Sequence, residues 1–279
     1  YALIDGKRTA KHLYSQPCLS NPDVLRIMVE GIRSWLRDNP EARLVSVSQN
    51  DSFVIGSYCT CPACRAVNEE EGAPSGSLIR FVNAVAEALE PEFPEVTFDT
   101  LAYQYSTQPP KLTHPRHNVA IRMCTGGCSS HPIPDCANNA GSADAIRGWS
   151  QICRQLYIWD YTTDFAQYLN PYPNFQTLQD NIRFFRDHNV CGVFEQGNYN
   201  EGLSGEFGEL RAYLLANLLW NPEFDVESGT ESFLNAYYGG GAPYVRQYLT
   251  FIRDKVRDVH FNLVISAAAL WNDLISDEE

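Results

Sequence analysis

The chain has 279 residues, 44% of them hydrophobic, which is enough for a sizeable core and excludes a disordered polypeptide. Its 34 acidic residues against 21 basic ones leave a net charge of −13 with no basic stripe, so nucleic acid and anionic membrane surfaces are poor partners and a neutral substrate fits better. No run is long enough for membrane insertion, Leu263 to Leu270 being too short.

Tyr1-Ala-Leu-Ile-Asp-Gly-Lys-Arg lacks a basic segment followed by an apolar stretch, and so reads as the start of a processed or excised chain. Ser20-Asn21-Pro22-Asp23 offers an N-cap, with Pro close behind, before Val24, Leu25, Ile27, Met28, Ile32, Trp35 and Leu36, which have helical spacing; the helix should stop near Asn39-Pro40. Leu44 to Asp51 reads as a buried strand with an abruptly polar end, and a long cysteine-rich loop follows from Ser52 to about Ser75. Gly76 to Leu89 is predicted to be a helix buried through Leu78, Ile79, Val82, Val85, Ala86 and Leu89, and closed by Pro91 and Pro94.

Further strands are predicted at Thr97 to Tyr105, Asn118 to Cys124, Gln155 to Tyr161 and Cys191 to Glu195. Helices are predicted at Ala143 to Arg154, Phe175 to His188 and Glu206 to Trp220, with a tail at Val226 to Tyr238 and Pro243 to Leu274. Strands alternating with amphipathic helices imply a parallel sheet with right-handed crossovers. No strand runs into a glycine-rich phosphate loop, and polar endings recur on every strand, which favours a barrel over an open doubly wound sheet.

The expected fold is α/β, of the (β/α)8 TIM-barrel type, with this chain supplying the later part, about five strands, of a larger barrel. Residues 1–222 form the barrel region and 223–279 a C-terminal helical extension. Cys153 and Cys191 read as small core residues.

Five motifs together carry a family resemblance: Ser46-Val47-Ser48-Gln49-Asn50-Asp51, Cys59-Thr60-Cys61-Pro62-Ala63-Cys64, Leu101-Ala102-Tyr103-Gln104-Tyr105, Trp159-Asp160-Tyr161-Thr162-Thr163 and Phe194-Glu195-Gln196-Gly197-Asn198-Tyr199. From Tyr1 to about Tyr248 the chain resembles a bacterial barrel family long catalogued only as a domain of unknown function. Its characterised members are endo-β-N-acetylglucosaminidases that cut within the core of complex N-glycans. The resemblance implies a secreted, periplasmic or cell-surface glycoside hydrolase acting on a glycan or glycoprotein, without a cofactor. An exo-acting hexosaminidase, an α-glucuronidase-like enzyme and a non-catalytic carbohydrate-binding barrel are the alternatives.

Glycoside hydrolysis needs one carboxylic acid to protonate the leaving oxygen and a second group to stabilise or attack the sugar centre. Glu195 and Asp51 are the leading pair, both at predicted strand ends, and Asp160 is the third candidate. Glu195 follows Val193-Phe194, an apolar setting that favours the protonated acid. Asn50-Asp51 resembles the adjacent polar pair of substrate-assisted hexosaminidases, although with an amide in place of one acid, so the roles of Glu195 and Asp51 can be exchanged.

Tyr103, Tyr105, Trp159, Tyr161 and Tyr199 are candidates for the walls of a sugar subsite, with Asn50, Gln196 and Asn198 reading polar groups. Arg122, in mid-strand, needs an acidic partner. Cys59-x-Cys61-x-x-Cys64 has metal-ligand spacing, with a fourth ligand to come from Cys18, Cys128, His131 or Cys136; a structural zinc, disulfides and free buried thiols all remain open, and no His cluster at a strand end suggests a catalytic metal.

Overall fold

The computed structural model describes residues 1–8, 15–51, 57–199 and 205–260. Two short antiparallel strands, β1 (Leu3–Ile4) and β2 (Lys7–Arg8), precede helix α1 (Pro22–Asp38). Then come β3 (Leu44–Ser46), α2 (Pro62–Glu71), α3 (Ser75–Leu89), β4 (Thr97–Ala102), β5 (Val119–Cys124) and α4 (Ala140–Ile152). They are followed by β6 (Leu156–Tyr161), α5 (Leu178–Asp187), β7 (Val190–Gln196), α6 (Gly208–Trp220), α7 (Val226–Tyr238) and α8 (Ala242–Lys255).

Strands β3 to β7 form one parallel sheet whose spatial order follows the chain order, without the reversal that marks a doubly wound sheet. All five predicted strands are present, with two shortened. β3 stops at Ser46, and β4 stops at Ala102, where Tyr103 caps a 3-10 turn over Gln104–Ser106.

The chain divides into two compact units, each drawn from separated stretches. The first is Tyr1–Cys124, Ala145–Ile158 and Asn189–Gly192; the second is Thr125–Asp144, Trp159–His188 and Val193–Glu279.

In the first unit, the Asn21 side chain accepts from the Asp23 N–H at 2.8 Å and starts α1 as its N-cap. The six apolar residues predicted to face inward from α3 are all buried, each Leu, Ile or Val contributing about 1.5–3 kcal/mol. Strand β5 is buried along nearly its whole length through Val119, Ala120, Ile121 and Met123, as a strand covered on both faces must be. β3 alternates instead, with Val45 inside and Leu44 and Ser46 outside, and Val47, just beyond its end, is buried again.

The predicted loop from Ser52 to Ser75 contains helix α2, which sequence reading missed. Pro62 stands at its first position and Gly72 closes it in the left-handed region at φ 70°, but Asn-Glu-Glu-Glu in its second half blurs the apolar stripe. Residues 52–56 of that loop, and the predicted continuation of the last helix to Leu274, lie outside the described residues. Cys153 is buried as expected, but Cys191 is exposed, because it lies on β7 at the edge of the five-stranded sheet.

Glu71 is the polar hub of the first unit. Its fully buried carboxylate accepts from the backbone N–H groups of Leu112 and Thr113, both at 2.9 Å, from the Thr113 hydroxyl, and from Arg80 Nε at 2.8 Å and Nη2 at 2.6 Å. Gly76 is required beside it, since a Cβ there would collide with the Glu71 side chain. Burial alone would push this carboxyl up, but the Thr113, Leu112 and Arg80 donors outweigh it and hold it down to about 2.

A depressed carboxylate stabilises the fold above its ordinary range and loses that contribution as pH falls toward 2. At about 1.4 kcal/mol for each tenfold change in proton affinity, Glu71→Gln should cost on the order of 3 kcal/mol at neutral pH. Urea denaturation should show the deficit shrinking as pH is lowered from 5 to 3, and a deficit that does not change with pH would contradict this account.

Candidate functional site

Two of the three candidate acids, Asp160 and Glu195, meet in the second unit at the carboxyl ends of β6 and β7, whereas Asp51 lies in the first unit. Trp159 and Gln196 share one strand face: the Trp159 indole N–H donates to Gln196 Oε1 at 2.6 Å, and the Trp159 ring meets Phe194 edge to face at 5.1 Å. Side chains alternate along a strand, so Asp160 and Glu195 fall on the other face, where their carboxyl groups are in hydrogen-bond contact.

Thr125, directly after β5, extends the ladder through its N–H to the Trp159 carbonyl at 3.0 Å, and its hydroxyl donates to Asp160 Oδ1. Two carboxyl groups in contact cannot both ionise, so the pair shares a proton. Burial pushes both groups up; for Glu195 the neighbouring Asp160 charge adds to the rise, whereas Asp160 is drawn back by Thr125, by the Tyr161 N–H and by Glu195. Glu195 Oε2 is buried and receives no hydrogen bond. The balance of these influences favours the proton on the Glu195 side of the pair.

Beside Asp160 lies a hollow of about 30 Å³ bounded by Thr125, Gly127, Ser129, Tyr161, Asn174 and Asn181. A water needs roughly 10–15 Å³ measured this way, so the hollow suits a water and is too small for a sugar ring.

Around the strand ends six rings run in sequence, Phe194, Trp159, Tyr161, Phe165, Tyr168 and Tyr199, with successive centroids 5.1, 6.5, 5.9, 6.1 and 5.7 Å apart. Tyr199 is 81% exposed and Phe194 50% exposed. The three rings singled out from sequence in this region thus belong to one row. Phe194, Phe165 and Tyr168 complete it, and only the fold reveals them. Asn198 follows β7 and is half-buried.

The remaining predicted site residues lie in the first unit. Asp51 is exposed, and burial together with the Asp51 charge pushes the Tyr103 phenol up. Tyr105 packs on Tyr58 at 5.3 Å with its phenol buried. The Asn50 side chain donates to the Ser15 carbonyl at 2.5 Å, and its backbone exchanges bonds with Gln16, so its amide holds the loop in place. Arg122 pairs with Asp99 at 2.9 Å, a buried mid-strand acid that sequence reading passed over, rather than with any strand-end carboxylate.

Among the described residues two groups of side chains can hold a metal ion: Cys18, Cys59, Cys61 and Cys64 in the first unit, and Cys128, His131, Cys136 and His260 in the second. None of the candidate acids belongs to either. Among the described residues no helix is long and apolar enough to cross a membrane.

The profile of a family described as Domain of unknown function (DUF4838) matches residues 1–250, and the chain belongs to that family. No curated protein matches the sequence.

Proposed function

We propose that this DUF4838 member is a glycoside hydrolase that cleaves N-acetylglucosamine-containing glycans, with Glu195 as the proton donor. The observation that carries the reading is the carboxyl pair at the ends of two neighbouring parallel strands, with one proton held on Glu195 by burial and by Asp160. A carboxylic acid that holds its proton above the ordinary carboxyl range suits the departure of a glycosidic oxygen. The row of six rings offers faces on which sugars stack.

Asp160 acts through Glu195 as a positioning residue. Two carboxyl groups flanking a scissile bond stand about 5–5.5 Å apart in retaining enzymes and about 6.5–9.5 Å in inverting ones, and groups in hydrogen-bond contact are closer than either. The second role is assigned to the 2-acetamido group of the substrate itself, and Asp51→Asn tests the alternative that Asp51 supplies it. The chain-order sheet supports five consecutive strands of a (β/α) barrel with its site at the carboxyl ends. The preference for complex N-glycan cores, and a secreted or cell-surface setting, rest on the family resemblance.

A second reading, a carbohydrate-binding unit without catalysis, is favoured by one observation: the acids share the strand face opposite Trp159 and Gln196. Incubation of the protein with a complex N-glycoprotein and with aryl glycosides, followed by mass analysis, separates the two. Release of a glycan lacking one core N-acetylglucosamine supports the endo-hydrolase; monosaccharides alone point to an exo-enzyme; binding without release leaves the lectin-like reading.

A further inference from the structure

We propose that this protein binds two structural zinc ions, one on Cys18, Cys59, Cys61 and Cys64 and one on Cys128, His131, Cys136 and His260. In each group the four ligand atoms lie within 4.8 Å of one another. Four thiolates, and two thiolates with two imidazoles, are the donor sets that close a tetrahedral zinc site.

The first group is built by distant parts of its unit. Cys61 is the N-cap of α2 and Cys64 lies in its first turn. Cys18 arrives from before α1 and supplies the fourth ligand that the sequence spacing left open. With Zn–S near 2.3 Å, the edge of a tetrahedron of sulfurs is about 3.8 Å, and Cys18 Sγ stands 3.7 Å from Cys61 Sγ and 4.0 Å from Cys64 Sγ.

Disulfides do not account for the cluster, since a bonded pair would approach to about 2.05 Å and all four thiols are free. A polynuclear iron–sulfur core needs its cysteines spread around several irons, whereas sulfurs in contact leave room for one ion. The outer groups suit thiolates as well. The Leu3 N–H donates to Cys59 Sγ at 3.2 Å, the Ser20 hydroxyl lies 3.5 Å from Cys61 Sγ, and the Arg8 guanidinium hydrogen-bonds Cys18 and Cys61, offsetting the negative charge of a four-thiolate zinc site.

The second group joins the loop after β5 to the residues after α8. Cys128 Sγ lies 3.3 Å from His131 Nδ1, Cys136 Sγ lies 3.3 Å from His260 Nδ1, and the two imidazole rings are 4.8 Å apart. His131 Nε2 is 2.9 Å from the Arg257 carbonyl, so it carries the proton and leaves the Nδ1 lone pair facing the sulfurs. A backbone carbonyl that fixes the tautomer in this way is the usual support of a zinc-bound histidine. Hydrogen bonds between single Cys–His pairs would account for two contacts, but not for four donors converging on one point.

The test is metal analysis of the full chain produced with zinc in the medium and purified under reducing conditions without chelator. Two zinc ions per chain are expected. Cys61→Ser with Cys64→Ser should leave one, and His131→Ala with Cys136→Ser should also leave one. Chelator-stripped wild-type protein titrated with Co²⁺ provides a check that does not depend on the variants folding. Tetrahedral cobalt spectra should grow in to two equivalents, and the six cysteine ligands should resist alkylation until metal is removed. Less than one metal per chain with no tetrahedral cobalt spectrum overturns both sites. A single ion overturns the site whose variant retains it, and iron in place of zinc overturns the metal assigned.

Discussion

Glu195→Gln should lower hydrolysis by about 10²–10⁴-fold, the usual range for removing a general acid, without unfolding the protein. The amide keeps the shape of the acid and can still donate to Asp160, so the contact at the ends of β6 and β7 survives while the transferable proton is lost. Its stability should respond to pH in the opposite sense to that of Glu71→Gln. A carboxyl whose folded pKa is raised binds a proton in the native state that the unfolded chain has already released. Wild-type stability therefore declines as pH climbs from the ordinary carboxyl range through the raised value of Glu195, and is level above it. The glutamine variant lacks that decline and should gain on the wild type as pH rises above the ordinary carboxyl range. Urea midpoints measured across this range, alongside turnover, check both halves. Parallel stability curves would show that Glu195 is not the proton holder, and full activity would remove it from the mechanism.

Arg211→Ala should destabilise the fold by about 3–5 kcal/mol, the cost of leaving a buried charge without its partner. Arg211 and Glu206 are both almost fully buried and pair at 2.8 Å. The guanidinium also donates to Asn174 Oδ1 at 3.1 Å, to the Tyr172 carbonyl at 3.2 Å and to the Glu206 carbonyl at 2.7 Å, and it stacks 4.6 Å above the Phe175 ring. Burial already pushes the Glu206 carboxyl up, and with the arginine gone it must take up a proton or lie charged in an apolar setting. Lysine should rescue little, because an ammonium with three N–H donors on one atom cannot span the four acceptors arranged around a guanidinium. Asn174 also borders the hollow beside Asp160, so loss of Arg211 should loosen the wall of the candidate site. Chemical denaturation of Arg211→Ala and Arg211→Lys gives the answer, and a cost below about 1 kcal/mol in the alanine variant would show that the pair is not stabilising.

Much of the architecture is legible in the sequence, because the strands are apolar runs and the helices carry one-sided stripes. The buried face of α3 is as the spacing predicts. Where the reading failed, the local signal was absent. Helix α2 carries too few apolar residues in its second half to betray a buried side, and Cys191 looks like a core residue until the sheet edge is known.

The candidate site was legible as a set of residue types at strand ends. Its connections were not, because they join positions far apart in the chain: Thr125 to Asp160, Asp160 to Glu195, Trp159 to Gln196. The same holds for Glu206 with Arg211. Five residues apart, the two read as ordinary surface charges until burial shows otherwise.

The division of the chain into interleaved stretches constrains the order in which it can be assembled. The first unit needs Asn189–Gly192 for completion, although most of it ends at Cys124. The second opens at Thr125 and draws on Cys128 and Cys136, yet their partner His260 lies 124 residues beyond Cys136. On a ribosome adding about 5–20 residues per second, the loop from Thr125 to Asp144 waits roughly 6–25 s for that partner. The four donors Cys128, His131, Cys136 and His260 can come together only after synthesis has passed His260.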